Sequence, residues 1–454
     1  MYTFFIFIRF YIYKNSKNHE WLINFVKTQK MSSITSIKKN HRLIVLQKLT
    51  VASILIGFLA SFLAISLKKI TEYYETIFFF KTSSSPWLLL IFPIFSLSVI
   101  YFLRIYLFKR KSNKGIKEVF EVTEHKNKHL PLYKIPSHFI NGLITVAFGG
   151  STGVEVSTVV ATATIGSIAQ QKENTFRKYK TELIGAGVAA GITALFGSPF
   201  AGILFVLEVI SRKTTKVFFY TNGLAVLISF SLLFLLDEKP LFAMHHMSWN
   251  YYAIPYFILL GILAGINSVY ITKCVLFFKS TFAKLNHDYY KVLIGSAILS
   301  VSLFFIPQLY GDGYHAIERI LHSDVPLTLS LLFTILSILI LKPIITSVTL
   351  ASGGDGGVFA PSLFAGAFLG YLLALILNSY FNANVIPLNF MIIGMAAVLS
   401  ASIHAPFTSL FLVCGVTGNY TLFFPLLGVC LIAKYTSKFF YPYTVYSIIP
   451  VKTK

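Results

Sequence analysis

Apolar runs long enough to cross or enter a bilayer recur near residues 50–67, 87–108, 183–210, 217–236, 254–278, 290–309, 327–348, 358–378, 387–403 and 406–440. Each predicts a helix, because a helix satisfies its own backbone amides and carbonyls where no water is available. Several runs are interrupted by Gly and Pro, in AFGGSTGVEV (147–156), LFGSPFAG (195–202), LASGGDGGVFAP (350–361) and IHAPF (403–407). Broken helices at membrane depth are tolerated where the freed backbone is shielded by protein or lines a polar path. The pattern therefore points to a transporter or channel rather than a plain helical bundle.

The interruptions repeat. GGSTGVEVSTVVATATIG (149–166) and GGDGGVFAPSLFAGAFLG (353–370) have one length and share Gly at both ends and at Gly153/Gly357. SPFAGILFVLEV (198–209) pairs in the same way with APFTSLFLVCGV (405–416), aligning Pro199 with Pro406 and Phe200 with Phe407. The two offsets, 204 and 207 residues, are nearly equal and the order is kept. This predicts two structural repeats, 50–240 and 250–442, with a substrate site near the midplane between them.

Composition agrees with a membrane chain. Of 454 residues, 55% are hydrophobic, 16% aromatic and only 12% charged, where a soluble protein carries about 25% charged residues to solvate its surface. The net charge of +22 is unevenly placed. Residues 1–49 hold nine Lys or Arg against Glu20 alone, and 109–134 hold eight against three acids. Basic clusters beside apolar spans read as cytoplasmic, which makes 1–49 a basic cytoplasmic N-terminal segment and the lipid bilayer the surrounding partner. The same adjacency argues against nucleic acid as a partner. The opening MYTFFIFIRFYIYKN lacks a small-residue cleavage site and fits a signal peptide poorly. Met31, ahead of SSITSIKKN, is an alternative start, and 1–30 is set aside from the fold argument. Cys274, Cys414 and Cys430 show neither a disulfide framework nor metal spacing.

Each Gly-rich segment runs directly into an apolar stretch, so it reads as a loop opening a helix. The first amides of a helix lack intrahelical partners and carry partial positive charge. Two such helix starts facing each other would bind an anion without a fixed cation, which suits an ion that must also leave. Close helix packing is the alternative use for such small residues. Glu155 sits at the mouth of the first of these helices between apolar neighbours, where an ionisable group is costly and functional by default. Ionised, its carboxylate can occupy the anion's place; protonated, it can swing away. A Glu that caps its own helix or pairs with a loop Lys is the structural alternative.

These residues resemble the CLC chloride channels and chloride/proton antiporters: GVEV at 153–156, GGVFAP at 356–361, the two repeats, and GAGVAAGITALFGSPFAGILFVLE at 185–208. KGIKEV (114–119) is similar to a degenerate form of the family's GSGIPE segment, and YTVYSI (443–448) falls where the family places its anion-binding tyrosine. The resemblance spans about residues 45–450. It implies an all-α integral membrane protein of many tilted and broken helices in two inverted-topology repeats, and a homodimer with one anion path per subunit. It makes Glu155 the gating, proton-accepting residue. It places the anion among Gly153, Val154, Gly357, Val358, Phe359, Tyr446, Lys114 and Gly115. The expected cargo is chloride or a similar small anion, with protons as a second ion in an antiporter. No cofactor, metal or enzymatic activity is implied, and a bacterial plasma membrane is the expected location. Residues 443–454 form a short end carrying the central-site Tyr, without the cytoplasmic nucleotide-sensing CBS domains of some relatives.

Three departures change the expectations. The family's GREGP is GVEVS here. Lys114 stands at the family's central serine, and Lys117 at its proline. Lys114 either faces the cytoplasm as an attracting charge or alters the site itself. The antiporters' internal proton-relay glutamate falls on Val209, with Glu208 one residue earlier and about 100° away on a helix. On that ground passive, channel-like conduction is favoured, with chloride/proton antiport as the alternative. An intramembrane enzyme is a distant third reading: Ser198 has only His404 as an evident partner, and Asp is scarce in the spans. His404 reads as a helix-end or packing residue, His245-His246 as an exposed pair, Asp355 as a loop-stabilising side chain and 171–182 as a mixed-charge connector.

Overall fold

The structure is a computed structural model. It describes residues 19–110, 113–125, 127–211, 214–244, 248–321 and 328–446, with side chains from residue 42 onward. His245-His246 and the end beyond Tyr446 lie outside the described residues. The chain divides into two units, Met1–Ala52 and Ser53–Lys454. In the first, residues 19–52 are helical, and Thr50 Oγ1 donates to the Leu46 carbonyl at 2.8 Å.

The described residues contain sixteen α-helices. In chain order these are α1 (His19–Ser84), α2 (Leu88–Phe102), α3 (Ile116–Glu124), α4 (Lys134–Ala147), α5 (Glu155–Lys172), α6 (Lys180–Phe196), α7 (Pro199–Phe205) and α8 (Lys216–Leu235). The remainder are α9 (Ile254–Ala283), α10 (Asp288–Phe305), α11 (Tyr314–Leu321), α12 (Leu329–Ala351), α13 (Phe359–Phe381), α14 (Pro387–Ile403), α15 (Pro406–Thr417) and α16 (Phe423–Phe440). Eight of them are long and apolar enough to cross a membrane. The apolar window of α13 is 89% buried within the protein, against half or less for the other seven, so α13 is an inner helix and the others present apolar surface to lipid.

The repeat seen in the sequence has a counterpart in the packing. A Cβ on Gly187 of α6 would strike the Thr162 carbonyl of α5, and one on Gly394 of α14 would strike the Gly366 carbonyl of α13. Small residues let the paired backbones touch, which is how helices associate where no hydrophobic force separates them from lipid. Both α6 and α14 then end on a left-handed residue. Gly197 (φ 65°) donates its amide to the Thr193 carbonyl, and His404 (φ 55°) donates to Ser400. Pro199 and Pro406 open the next helix in each half, where a missing amide costs nothing. His404 is thus a helix-end residue, as its context implied, in a conformation costing about 1–2 kcal/mol outside glycine.

Two expectations need correction. The apolar run 50–67 is only part of a helix that continues through Lys68, Lys69, Glu72 and Glu75 to Ser84. The charges do not end it because Glu75 is buried against the protein and Lys69 pairs with Glu238. The segment 171–182 is more than a connector. It contains a 3₁₀ turn, Asn174–Tyr179, and buries Lys180 and Glu182. Lys180 Nζ donates to the carbonyls of His125 (2.9 Å) and Lys128, while Glu182 accepts from the Thr215 hydroxyl at 3.0 Å.

Candidate functional site

Both Gly-rich loops turn in the same way. Gly149 (φ 85°) and Gly353 (φ 105°) occupy backbone regions that side chains disfavour. The following amides fold back on their own helices, Gly150 to the Thr145 carbonyl (2.7 Å) and Gly354 to the Thr349 carbonyl (2.9 Å). The loops are laced together. Asp355 N donates to Thr145 Oγ1 (3.0 Å), Thr152 Oγ1 donates to the Asp355 carbonyl (3.2 Å), and Ser151 N donates to Thr349 Oγ1 (3.3 Å). Gly153 and Gly357 then meet in an isolated antiparallel bridge. One residue past each bridge stand Val154 and Val358, and the starts of α5 and α13 follow immediately. The structure therefore brings two helix N-termini together at one point.

Glu155 lies in that gap and is 3% exposed. Its carboxylate folds back over Gly153, where a Cβ would overlap both Glu155 Oε2 and the Ala360 side chain. Oε1 accepts from the Tyr314 hydroxyl at 2.8 Å, while Oε2 is buried with no hydrogen-bond partner among the described residues. The carboxylate thus sits beside the first turn of α13, where an incoming anion would find the same amides.

Tyr446 lies on the other side of the Gly357 backbone. Among the described residues its buried hydroxyl has no hydrogen-bond partner, and it lies 3.2 Å from the position a Cβ on Gly357 would take. Its ring is 6.4 Å from that of Phe359. A buried phenol normally has a partner, so this hydroxyl is available to a ligand.

Gly357, Val358 and Tyr446 also line a cavity of about 480 Å³. Its walls include Arg104, Arg110, Lys114, Lys117, Lys279 and Lys291 against the acids Asp288, which pairs with Lys291, and Asp355. Lys114 is exposed there rather than inserted between the helix starts. Gly115, with φ 63°, turns the chain into α3. Arg104 donates to the Gly353 carbonyl at 2.7 Å, which ties the basic wall to the second loop. Basic side chains outnumber acids in this lining, a balance that favours anions near its walls.

A buried polar chain beside the second loop was only partly foreseen. Asp355 was expected to bond nearby amides, and its Oδ1 does accept from Gly356 N at 3.0 Å. It also pairs with the fully buried His138, Nδ1 to Oδ2 at 2.9 Å, and accepts from Asn113 at 2.9 Å. Asn113 continues to the buried Lys134, whose Nζ holds Glu118 at 2.7 Å. The one sequence signal was the spacing of Lys134 and His138, four residues apart on a single helix face.

Glu208 sits in a π-helical turn, Val206–Ile210. Its Oε2 accepts from the amide (2.8 Å) and hydroxyl (2.7 Å) of Thr408, so it caps the start of α15. Val209, the neighbouring residue, has no titratable group to relay a proton.

Comparison with known proteins gives one family. The description Voltage gated chloride channel matches residues 95–438. A putative chloride channel protein, ClcB-like, of Ralstonia nicotianae is 27% identical over 305 residues, covering 65% of this chain and 70% of that protein. The H(+)/Cl(-) exchange transporter ClcA of Vibrio cholerae is 28% identical over 321 residues, 64% of each chain, so the match spans just under two thirds of that exchanger. Among solved structures, a CLC-type fluoride/proton antiporter superposes with a TM-score of 0.76 at 24% identity, covering 88% of this chain and 97% of that one. A slow cyanobacterial Cl-/H+ antiporter gives 0.75 at 21% identity, covering 88% and 96%. These two likenesses are of fold. With the family match running over most of its length, this chain belongs to the voltage-gated chloride channel (CLC) family.

Proposed function

We propose that this protein moves chloride or a similarly small anion across a lipid bilayer through a pathway blocked by Glu155, and exchanges that anion for protons. The observation that carries the reading is the Glu155 carboxylate folded over Gly153 against the start of α13. An ionised carboxylate there competes with the anion for the same amides; protonation ends the competition and frees the group to move. Each opening therefore takes up a proton, and each closing releases one. In this reading Val358 and Phe359 supply amides with Gly153 and Val154, and Tyr446 donates its hydroxyl at the central position. Lys114, with Gly115 beside it, belongs to the approach as an attracting charge, which its exposure in the basic cavity supports.

Coupled exchange is preferred over passive conduction, a reversal of the sequence-based preference. The exchange transporter among the relatives supports it, since that likeness extends over 321 residues. Passive conduction stays as the second reading, favoured by Val209 and by the engagement of Glu208 with Thr408. Members of this family are channels or transporters rather than enzymes, which removes the intramembrane-enzyme alternative. The reading includes repeats at 50–240 and 250–442, a homodimer with one path per subunit, a bacterial plasma membrane and a cytoplasmic N-terminus. Glu155→Ala tests it in proteoliposomes: anion flux that persists but loses its dependence on pH is expected, whereas flux absent from both wild type and variant contradicts the reading.

A further inference from the structure

The buried turn in front of α11 brings to Glu155 a side chain from outside either glycine loop. Tyr314 is the first residue of α11, and its hydroxyl donates to Glu155 Oε1 at 2.8 Å. That turn is fixed from several sides. Gly311 (φ 54°) and Gly313 (φ 90°) shape it, and a Cβ on either would run into the Glu75 carboxylate or the Phe364 ring. Asp312 Oδ1 accepts from the Tyr314 amide at 2.8 Å, and the Asp312 amide donates to Glu75 Oε1 at 3.2 Å. The fully buried Lys342 donates to the carbonyls of Leu309 (3.2 Å) and Gly311 (3.0 Å), with its ammonium 4.6 Å from the Phe364 ring centre. Phe242 packs edge-on against the Tyr314 ring, centroids 5.7 Å apart at 87°.

We propose that Tyr314 is a positioning residue that latches Glu155 in its blocking position, and that the Glu75–Asp312–Lys342 cluster holds the latch rigid. This rests on the reading of Glu155 as the gate. A phenol donates more strongly to an ionised carboxylate than to a neutral carboxyl group, so the bond selectively steadies the closed, ionised form. Protonation weakens the bond and releases the side chain. The charged and titratable groups facing Glu155 are Tyr314 and Asp312 from the turn, and Tyr446 from the end of the chain. Glu72 and Glu75 of α1 and Lys342 of α12 act on it through the turn. None of these but Tyr314 donates to the carboxylate, which is why the latch is assigned to it.

The test is anion efflux from proteoliposomes across a pH series for wild type, Tyr314→Phe, Glu155→Gln and the double variant, with thermal unfolding recorded beside it. A Phe ring fills the same space, so the fold is retained. Loss of one bond to a charged acceptor is expected to move the midpoint of opening up by about one pH unit, with about a tenfold gain in flux where wild type is closed. In the Glu155→Gln background the same substitution should leave flux unchanged. A wild-type midpoint in Tyr314→Phe overturns the latch. So does an equal change in both backgrounds, which would mark Tyr314 as a packing residue. A wild type silent for anion at every pH overturns the gate reading itself, an outcome distinct from the other two.

Discussion

Gly153 and Gly357 pair as a lone antiparallel bridge, joining two loops 204 residues apart at the positions that match in the internal repeat. The pairing makes the two halves of the chain meet backbone to backbone at the start of α5 and α13. It also leaves no room for side chains on that line, because the Glu155 carboxylate covers one glycine and Val156 packs on the other.

Gly357→Ala should therefore be costly. Its Cβ would overlap the Val156 side chain and crowd the Tyr446 hydroxyl. Overpacking of this kind costs about 1–3 kcal/mol. A lowered unfolding midpoint in detergent, together with impaired anion flux, is expected; wild-type behaviour in both would show that the loops can part.

Tyr446→Phe separates binding from stability. The hydroxyl has no hydrogen-bond partner among the described residues, so removing it should leave the unfolding midpoint unchanged. If it donates to the anion, chloride binding measured by calorimetry should weaken by about tenfold, the worth of one such bond. Unchanged affinity would remove Tyr446 from the pathway.

Asp355→Ala should be among the more damaging changes in the loops. It strips the buried His138 of its acceptor and Asn113 of one of two, and so detaches the loop from Lys134 and Glu118. Breaking one side of a buried pair costs roughly 3–5 kcal/mol. The check is thermal unfolding in detergent, where a shift no larger than that of a surface variant would contradict a structural role.

Lys114 offers a choice with opposite signs. As an attracting charge in an open basic cavity, its replacement by Glu should slow anion turnover most at low ionic strength, with the effect shrinking as salt approaches 0.15 M, where the Debye length is about 8 Å. A lysine that gripped the anion inside the path would behave differently: Lys114→Ser would speed release and raise turnover.

The legible parts of this protein were those written locally. Gly197, Pro199, Gly353 and Pro406 announce helix breaks because backbone conformation depends on the residue itself. Glu155 stood out because a lone acid among apolar neighbours at a helix mouth has few uses. What could not be read came from contacts across the sequence. Tyr314 is 159 residues from Glu155 and looks like any aromatic in a chain with 25 tyrosines. His138 meets Asp355 over 217 residues. The run 50–67 gave no sign of Glu75, which lies on the same helix as it continues to Ser84 and is held there by the Asp312 amide, 237 residues away in the turn before α11. Acids that terminate a helix in lipid and acids that dock on a neighbouring turn have the same local sequence.

In the proposed exchange one carboxylate, Glu155, governs both ions. The most direct test is to record chloride efflux and external pH together from proteoliposomes holding the purified protein, with Glu155→Ala alongside. Chloride should leave while protons enter in fixed proportion, and Glu155→Ala should lose proton movement while keeping chloride flux. Chloride loss without any proton signal in wild type would contradict coupled exchange and make this protein a passive conductor.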